Sequence, residues 1–228
     1  MFFYWDWTYL LIIPGLLLGL WAQHKVRSTY AEYSRVGTRL GQPASKVVND
    51  LLHRNGNRAV SIGQVSGELT DHYNPASETL NLSQGVYGSA SIAALGIAAH
   101  EAGHAMQKHD GYMPLKLRTA IVPAVNICSS LSTPLFFLGL LFAWEPLTTI
   151  GILLFAASTV FALVTLPVEF DASRRAVNML ADGGYVTGEE VRGVRKVLNA
   201  AALTYVAAAV TSLLSLLRLV LLARRRRD

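Results

Sequence analysis

Long apolar blocks alternate with polar blocks along this chain. Residues 1–21, 119–144, 147–168 and 200–223 are predominantly apolar, and each is long enough for the ~20 residues that a membrane-spanning helix needs. The blocks between them are polar and show helix-like or strand-like periodicity. The pattern therefore predicts a mainly α-helical multi-pass membrane protein that carries a small α+β domain.

The first apolar block predicts a membrane anchor that is not cleaved. Trp7 lies near one end and Trp21 near the other, where aromatic rings suit the level of the lipid headgroups. No Lys or Arg precedes the apolar run, and the sequence Trp21-Ala22-Gln23 is a poor cleavage site for a signal peptidase. A cleaved signal peptide is therefore the weaker interpretation.

The polar block at residues 24–118 predicts a compact α+β domain. An apolar stripe at helical spacing runs through residues 44–52. Strand-like segments follow, and the clearest is Thr79–Ser83, which comes after a cluster of turn residues at 71–75. A run rich in alanine then predicts a helix from near Ser89 to a point before Gly111. The predicted order is helix, small sheet, helix.

The composition supports a membrane protein and argues against a nucleic-acid-binding protein and against a protein held by an intrachain disulfide. Of 228 residues, 52% are hydrophobic and only 15% are charged, whereas about 25% of residues are charged in an average soluble domain. The net charge of +5 does not indicate a nucleic-acid partner, because the arginines cluster in the terminal run Arg224–Arg227 and beside apolar blocks. The single cysteine, Cys128, excludes an intrachain disulfide and suits a small buried side chain.

The alanine-rich helix carries the motif His100-Glu101-Ala102-Gly103-His104. Residues four apart on a helix lie nearly above one another, about 6 Å along the axis. Both imidazoles can therefore reach one metal ion, and Glu101 lies close enough to act on a water bound to that metal. The spacing predicts a catalytic metal site.

A catalytic zinc site needs a third protein ligand and an open position. A third histidine at metzincin spacing is excluded, because Gln107 and Asp110 stand where that class has glycine and histidine. His109 projects to another face of the helix. The best candidate is Glu169, which directly follows an apolar block. A lone carboxylate at a membrane boundary is often a paired interfacial charge, but beside the histidine pair the ligand interpretation is favoured.

Positive charge orients the predicted spans. It places the motif helix and Glu169 on the cytoplasmic side and the N-terminus outside, whereas a complete fourth span would put the C-terminal arginines outside, so that end stays open. The predicted organisation has five parts. These are a first transmembrane anchor at 1–23, a cytoplasmic α+β domain at 24–118, two transmembrane helices at 119–168, cytoplasmic helices with the third zinc ligand at 169–200, and a C-terminal hydrophobic segment with a basic tail at 201–228.

Three segments carry a family resemblance: Leu69-Thr70-Asp71-His72-Tyr73-Asn74-Pro75, Ala99-His100-Glu101-Ala102-Gly103-His104 and Leu166-Pro167-Val168-Glu169-Phe170. Together they resemble the YugP-type membrane zinc metallopeptidases over nearly the whole chain. More distantly, the chain resembles the HtpX and CAAX-prenyl-protease gluzincins. The resemblance implies a gluzincin-like zinc peptidase domain that binds Zn²⁺ through His100, His104 and Glu169. It also implies that the carboxylate of Glu101 is catalytic.

The implied activity is hydrolysis of peptide bonds in a peptide or membrane-protein substrate, at a membrane whose lipids surround the apolar helices. Several accessory roles stay open at this point. Ser173 stands where the HtpX family tends to carry aspartate, so Asp171 is the candidate for orienting a histidine. Strand Thr79–Ser83 is a candidate edge strand for substrate. Candidate donors to an oxyanion are His72, Tyr73, Arg174 and Arg175.

Two other functions compete with this prediction. A site-2-type intramembrane protease would use Asp182 as its third ligand, but such enzymes hold the motif inside a span, and here polar residues follow it closely. A non-catalytic scaffold or assembly factor would keep zinc for structure, which normally takes four protein ligands. The sequence offers three, which favours an open site. The sequence does not indicate a substrate sequence or a protein partner.

Overall fold

The computed structural model describes residues 7–225, so the first residues of the predicted anchor and the last arginines, Arg226 and Arg227, lie outside the described residues. The described residues are mainly helical and include one three-stranded sheet. Within residues 7–225, a 3₁₀ turn at Trp7–Leu11 precedes seven helices and three strands. In chain order they are α1 (Ile12–Tyr33), α2 (Ala44–Arg54), β1 (Ser61–Val65), β2 (His72–Asn74), β3 (Thr79–Ser83), α3 (Gln84–Tyr87), α4 (Ile92–His109), α5 (Met113–Leu141), α6 (Glu145–Asp182) and α7 (Glu189–Arg225).

The described residues divide into two compact units. We call the first the apolar unit, which takes the described residues of Met1–Gln23, Leu117–Leu166 and Thr204–Asp228. We call the second the α+β unit, which consists of His24–Lys116 and Pro167–Leu203. In the part of the chain that the structure describes, four helical segments are long and apolar enough to cross a membrane, which agrees with the multi-pass prediction: Trp7–Tyr33, Met113–Leu141, Glu145–Asp182 and Glu189–Arg225.

The sheet of the α+β unit has the order β1-β3-β2. Strand β3 pairs in parallel with β1 and antiparallel with β2, and Tyr73 lies opposite Leu80. Leu80 and Leu82 are fully buried in the hydrophobic core, together with the apolar stripe of α2. The prediction that Thr79–Ser83 is a free edge strand is therefore wrong, because both of its edges are already paired.

Helix α4 begins at Ile92, three residues after the predicted start near Ser89. The Ser91 hydroxyl accepts a hydrogen bond from the Ala94 N–H at 3.2 Å, which caps the first turn. Small buried residues along α4 allow neighbouring backbones to approach closely. The tightest approach is at Gly103, where a Cβ atom would lie 2.5 Å from the Ala172 carbonyl oxygen of α6. Only glycine fits this contact, which brings α6 against the motif.

Helices α5, α6 and α7 each contain both a polar and an apolar segment of the sequence and continue without a break from one to the other. Helix α5 contains Pro123 and Pro134, and α6 contains Pro167. Proline removes a backbone hydrogen bond, but long apolar helices tolerate this loss. Ahead of helix α7, the Thr187 N–H donates to Glu190 at 3.0 Å, which is one of the two hydrogen bonds of a capping box. Continuous helices therefore replace the separate segments that the sequence suggested.

The apolar unit also contains close helix contacts. A Cβ atom at Gly151 of α6 would lie 2.6 Å from the Phe136 backbone nitrogen of α5. One pair of hydroxyls joins α6 to α7, where Thr159 Oγ1 lies 2.8 Å from Ser212 Oγ. Small residues and hydroxyl pairs are typical of helices that pack within a membrane.

Candidate metal centre

Three side chains of the α+β unit converge on one point. His100 Nε2 lies 3.2 Å from Glu169 Oε2, and His104 Nε2 lies 3.5 Å from the same oxygen. The possible ligand atoms of the three residues all lie within 4.8 Å of one another. The structure therefore brings together the three residues that the sequence predicted as ligands.

Local structure explains this convergence. The helical spacing of α4 puts the two imidazoles on one face, with their ring centroids 4.8 Å apart. Glu169 comes from α6, which the small residues of α4 allow to approach. The side chain of Glu169 is almost fully buried, with the residue only 2% exposed. A buried carboxylate needs a compensating partner, and two imidazoles with one carboxylate form a donor set typical of catalytic zinc. These residues fit zinc.

The electrostatics also favour a cation at this point. Burial lowers the pKa of the His104 imidazole, but hydrogen bonding to Glu169 and the negative charges of Glu101 and Glu169 outweigh burial, so the pKa is raised overall. Two carboxylates beside two imidazoles therefore create a negative local potential. A divalent cation would satisfy it.

Glu101 lies beside the ligand cluster and faces strand β2. Its Oε2 atom accepts a hydrogen bond from the Tyr73 backbone N–H at 2.8 Å. Burial raises the pKa of the Glu101 carboxyl, while His100, His104 and the Tyr73 N–H act in the opposite direction. The net shift is upward, which suits a carboxylate that has to take up a proton.

Each histidine has a second partner at its Nδ1 atom. His104 Nδ1 lies 2.9 Å from Gln107 Oε1, and Gln107 Nε2 donates to Asp171 Oδ2 at 3.0 Å. His100 Nδ1 lies 3.2 Å from Ser173 Oγ. Asp171 thus contacts His104 only indirectly, through Gln107, and Ser173 contacts His100 itself. The orienting role of Asp171 stays a prediction. Gln107 was missed as a contributor, although its spacing of three residues from His104 on one helix face signals such a contact.

Comparison with known proteins agrees with this geometry. Residues 8–224 match the family described as "Putative neutral zinc metallopeptidase". The chain belongs to this zinc metallopeptidase family. It is also 44% identical, over 218 residues, to "Putative membrane protease YugP" of Bacillus subtilis (strain 168), and the alignment covers 96% of this chain and 97% of that relative. No solved structure matches the chain. The predicted resemblance to the YugP-type metallopeptidases is confirmed.

Two of the predicted oxyanion donors lie on β2. The His72 ring is exposed and its Nε2 lies 3.2 Å from Asn81 Nδ2. The Tyr73 ring packs against the hydrophobic core, where burial and the charge of Glu78 raise the pKa of its phenol to about 12. Tyr73 thus approaches Glu101 through its backbone N–H, and the observed partners of both side chains lie outside the ligand cluster.

The other two predicted donors, Arg174 and Arg175, bind Asp171. Arg174 forms an ion pair with Asp171, and Arg175 Nε donates to Asp171 Oδ2 at 2.7 Å. Arg175 also pairs with Asp110, just after the end of α4. These contacts make both arginines part of the anchor for Asp171. Their role as oxyanion donors stays a prediction.

The alternative ligands are placed elsewhere. His109 is exposed at the end of α4 and is not part of the cluster within residues 7–225 that can hold a metal. Asp182 is the last residue of α6, thirteen residues after Glu169, and a helix rises roughly 20 Å over that distance. The structure therefore does not bring Asp182 to the histidine pair.

Proposed function

We propose that this chain is a membrane-embedded zinc metalloendopeptidase that hydrolyses peptide bonds at the cytoplasmic membrane face. One observation carries the proposal: His100, His104 and Glu169 converge, with Glu101 directly beside them. The family description and the printed name of the Bacillus relative, a membrane protease, support it. The apolar helices support a membrane location.

In this proposal the zinc ligands are His100 Nε2, His104 Nε2 and Glu169. Bound zinc supplies a Lewis acid that polarises the scissile carbonyl and lowers the pKa of a water molecule to about 7. Three protein ligands leave a position open, which is the arrangement of catalytic sites, whereas structural sites are closed by four. The scaffold alternative lacks such a fourth ligand among the described residues.

Glu101 acts as the general base. Its carboxylate takes the proton of the attacking water and later delivers it to the amine that leaves. The Tyr73 N–H holds Oε2 at 2.8 Å, which leaves Oε1 to handle the proton. Burial raises the pKa of this carboxyl, so the protonated form is less costly than it would be in water. A positioned base contributes about 10²–10⁴-fold in rate.

The outer edge of β2 is the proposed docking place for substrate backbone. In the antiparallel pair with β3, Tyr73 lies opposite Leu80, and its N–H points to Glu101 instead of to β3. The carbonyl of a residue in this position lies on the same outer edge. An extended polypeptide can add to that edge through main-chain hydrogen bonds. The substrate class that follows is an extended segment of a peptide or membrane protein.

The cytoplasmic orientation rests on charge. Lys and Arg flank the α+β segments, whereas the connection around Trp144 carries none. We expect a cysteine at the exposed position 77 (Ser77→Cys), in a chain with Cys128→Ser, to react with an impermeant thiol reagent only after the membrane is opened. The matched control, Ala143→Cys, should react in intact cells. The reverse pattern would contradict this orientation.

Removal and return of zinc test the activity itself. Membranes that contain the protein should generate new peptide termini, detected by labelling of free amines and mass spectrometry. A chelator should abolish these termini, and added Zn²⁺ should restore them, because the proposed chemistry depends on the metal. Termini that persist in chelator, in protein shown to be free of zinc, would contradict the proposal.

A further inference from the structure

Gln107 is a fully buried polar side chain of the α+β unit, with 0% of the residue exposed. Its amide makes three contacts. Oε1 lies 2.9 Å from His104 Nδ1, and Nε2 donates to the Val168 carbonyl at 2.8 Å and to Asp171 Oδ2 at 3.0 Å. Every hydrogen-bonding atom of the amide therefore has a partner, and these partners come from both α4 and α6.

These partners decide which way the amide faces. The backbone carbonyl of Val168 can only accept hydrogen bonds. The carboxylate of Asp171, which forms ion pairs with two arginines, is ionised and also can only accept. The NH₂ group of Gln107 must therefore point to Val168 and Asp171. Its oxygen must then point to His104. The oxygen and nitrogen of a glutamine amide are usually hard to distinguish. Here the reverse orientation would place the amide oxygen beside two acceptors, with no hydrogen between them.

The amide orientation selects the tautomer of His104. An amide oxygen only accepts, so the Nδ1 atom that it contacts must carry the hydrogen. The neutral ring then has its lone pair on Nε2, which is the atom that faces Glu169 at 3.5 Å. His100 differs, because its Nδ1 partner is the Ser173 hydroxyl, which can donate or accept. Ser173 therefore does not select a tautomer.

We propose that Gln107 is a positioning residue that holds His104 with hydrogen on Nδ1 and its lone pair directed at the metal. Asp171 fixes the amide, and Arg175 fixes Asp171 by pairing with both Asp171 and Asp110. This inference rests on the proposed zinc function. Partners of this kind typically change metal affinity 10–100-fold when they are removed.

The test measures the zinc dissociation constant of the full-length protein in detergent by competition with a chelator. Gln107→Met keeps the length of the side chain and removes all three contacts, and we expect it to weaken zinc binding 10–100-fold. Gln107→Glu keeps an acceptor against Nδ1 but loses both donors and places a charge beside Asp171. We expect it to bind zinc within about threefold of the unsubstituted chain, because a carboxylate is a common partner of a zinc-bound histidine.

The two variants separate positioning from simple structural support. Thermal unfolding of the zinc-free proteins should show both variants destabilised, with Gln107→Glu at least as unstable as Gln107→Met, whereas only Gln107→Met should lose zinc affinity. A matched control, Met106→Leu, changes a core neighbour on the same helix and should leave zinc affinity unchanged. Equal zinc affinity in Gln107→Met and the unsubstituted chain, or equal losses in both Gln107 variants, would overturn the proposal.

A second variant covers the case in which Gln107→Met does not fold. Asp171→Ala leaves Gln107 in place but removes one of the two acceptors that fix its amide, and we expect about a tenfold loss of zinc affinity. Unchanged affinity in this variant would overturn the proposal. Failure of the unsubstituted chain to bind zinc would instead refute the proposed function, so the two failures are distinguishable.

Discussion

The two units of this protein satisfy their polar side chains in different ways. In the apolar unit, hydroxyls donate mostly to carbonyls three or four residues earlier on the same helix, as at Ser129, Ser130, Ser132, Ser158 and Thr165. In the α+β unit, buried polar groups find partners far away in sequence. Gln107 and Asp171 are 64 residues apart, and His100 and Glu169 are 69 residues apart.

This difference has a physical reason. A helix in lipid has no water to satisfy a hydroxyl, so a bond to its own backbone is the safe arrangement. Such a bond holds no neighbouring element in place. Long-range bonds between α4, α6 and β2 fix side chains relative to one another, which a catalytic site needs. We therefore expect chemistry to depend on the α+β unit, and the apolar unit to respond to substitutions mainly in stability.

The largest expected effect concerns the proposed third ligand. Glu169→Ala removes this proposed ligand and should weaken zinc binding more than about 100-fold, beyond the 10–100-fold typical of an outer partner. Asp182→Ala, on the same helix, is the matched control and should leave zinc affinity unchanged. Zinc content after purification and competition with a chelator measure both. Loss of zinc in Asp182→Ala with retention in Glu169→Ala would favour the intramembrane-protease alternative.

The next effect tests the contact between α4 and α6. Gly103→Ala places a Cβ 2.5 Å from the Ala172 carbonyl oxygen, and overpacking of this kind costs about 1–3 kcal/mol. The zinc affinity should fall as well, because α6 carries Glu169. Gly96→Ala on the same helix meets Val194 only at 3.6 Å and should be neutral or slightly stabilising. Equal melting temperatures for the two variants would contradict the close contact.

The elements of the α+β unit differ in how well the sequence alone predicts them. Helices α2 and α4 and strand β3 follow from local periodicity and composition, so their positions were predicted. Strand β2 was predicted as a turn, because Asn74-Pro75 and Asp71 favour turns. It becomes a strand only by pairing with β3. Strand order depends on tertiary packing, which explains why β3 was wrongly expected at the edge.

The candidate site likewise combines features that local sequence predicts with features that depend on tertiary packing. The spacing of His100 and His104 on one helix made their meeting predictable. The approach of Glu169 could be argued only from chemistry, because it depends on how α6 packs. The contact of Glu101 with Tyr73 uses a backbone N–H, which every residue except proline possesses. No residue type signals such a contact, so the sequence could not reveal it.

A smaller effect is expected in the apolar unit. Gly151→Ala places a Cβ 2.6 Å from the Phe136 backbone nitrogen and should destabilise the protein by about 1 kcal/mol. Gly19→Ala, where no heavy atom lies within 4 Å, is the control. Thermal unfolding in detergent should separate them, and both should keep full zinc content. Loss of zinc in Gly151→Ala would contradict the expectation that substitutions in the apolar unit affect stability without affecting the zinc site.

The smallest effect compares hydroxyls within the apolar unit. Thr159→Val removes the contact with Ser212 on another helix, and such pairs contribute about 0.6 kcal/mol in membrane proteins. Ser130→Ala removes only a bond within its own helix, and we expect no measurable change. Unfolding free energies from matched denaturation series in detergent provide the measurement. A larger loss in Ser130→Ala than in Thr159→Val would contradict the local character of these bonds.

The central claim is that Glu101 performs chemistry at a zinc site formed by His100, His104 and Glu169. It is tested most directly by Glu101→Gln, which keeps the size of the side chain and the hydrogen bond from Tyr73 but removes the base. The measurement is the rate at which new peptide termini form in membranes, together with the zinc content of the purified protein. We expect a loss of at least about 10²-fold in rate with zinc retained. Undiminished cleavage by the zinc-loaded variant would contradict the account.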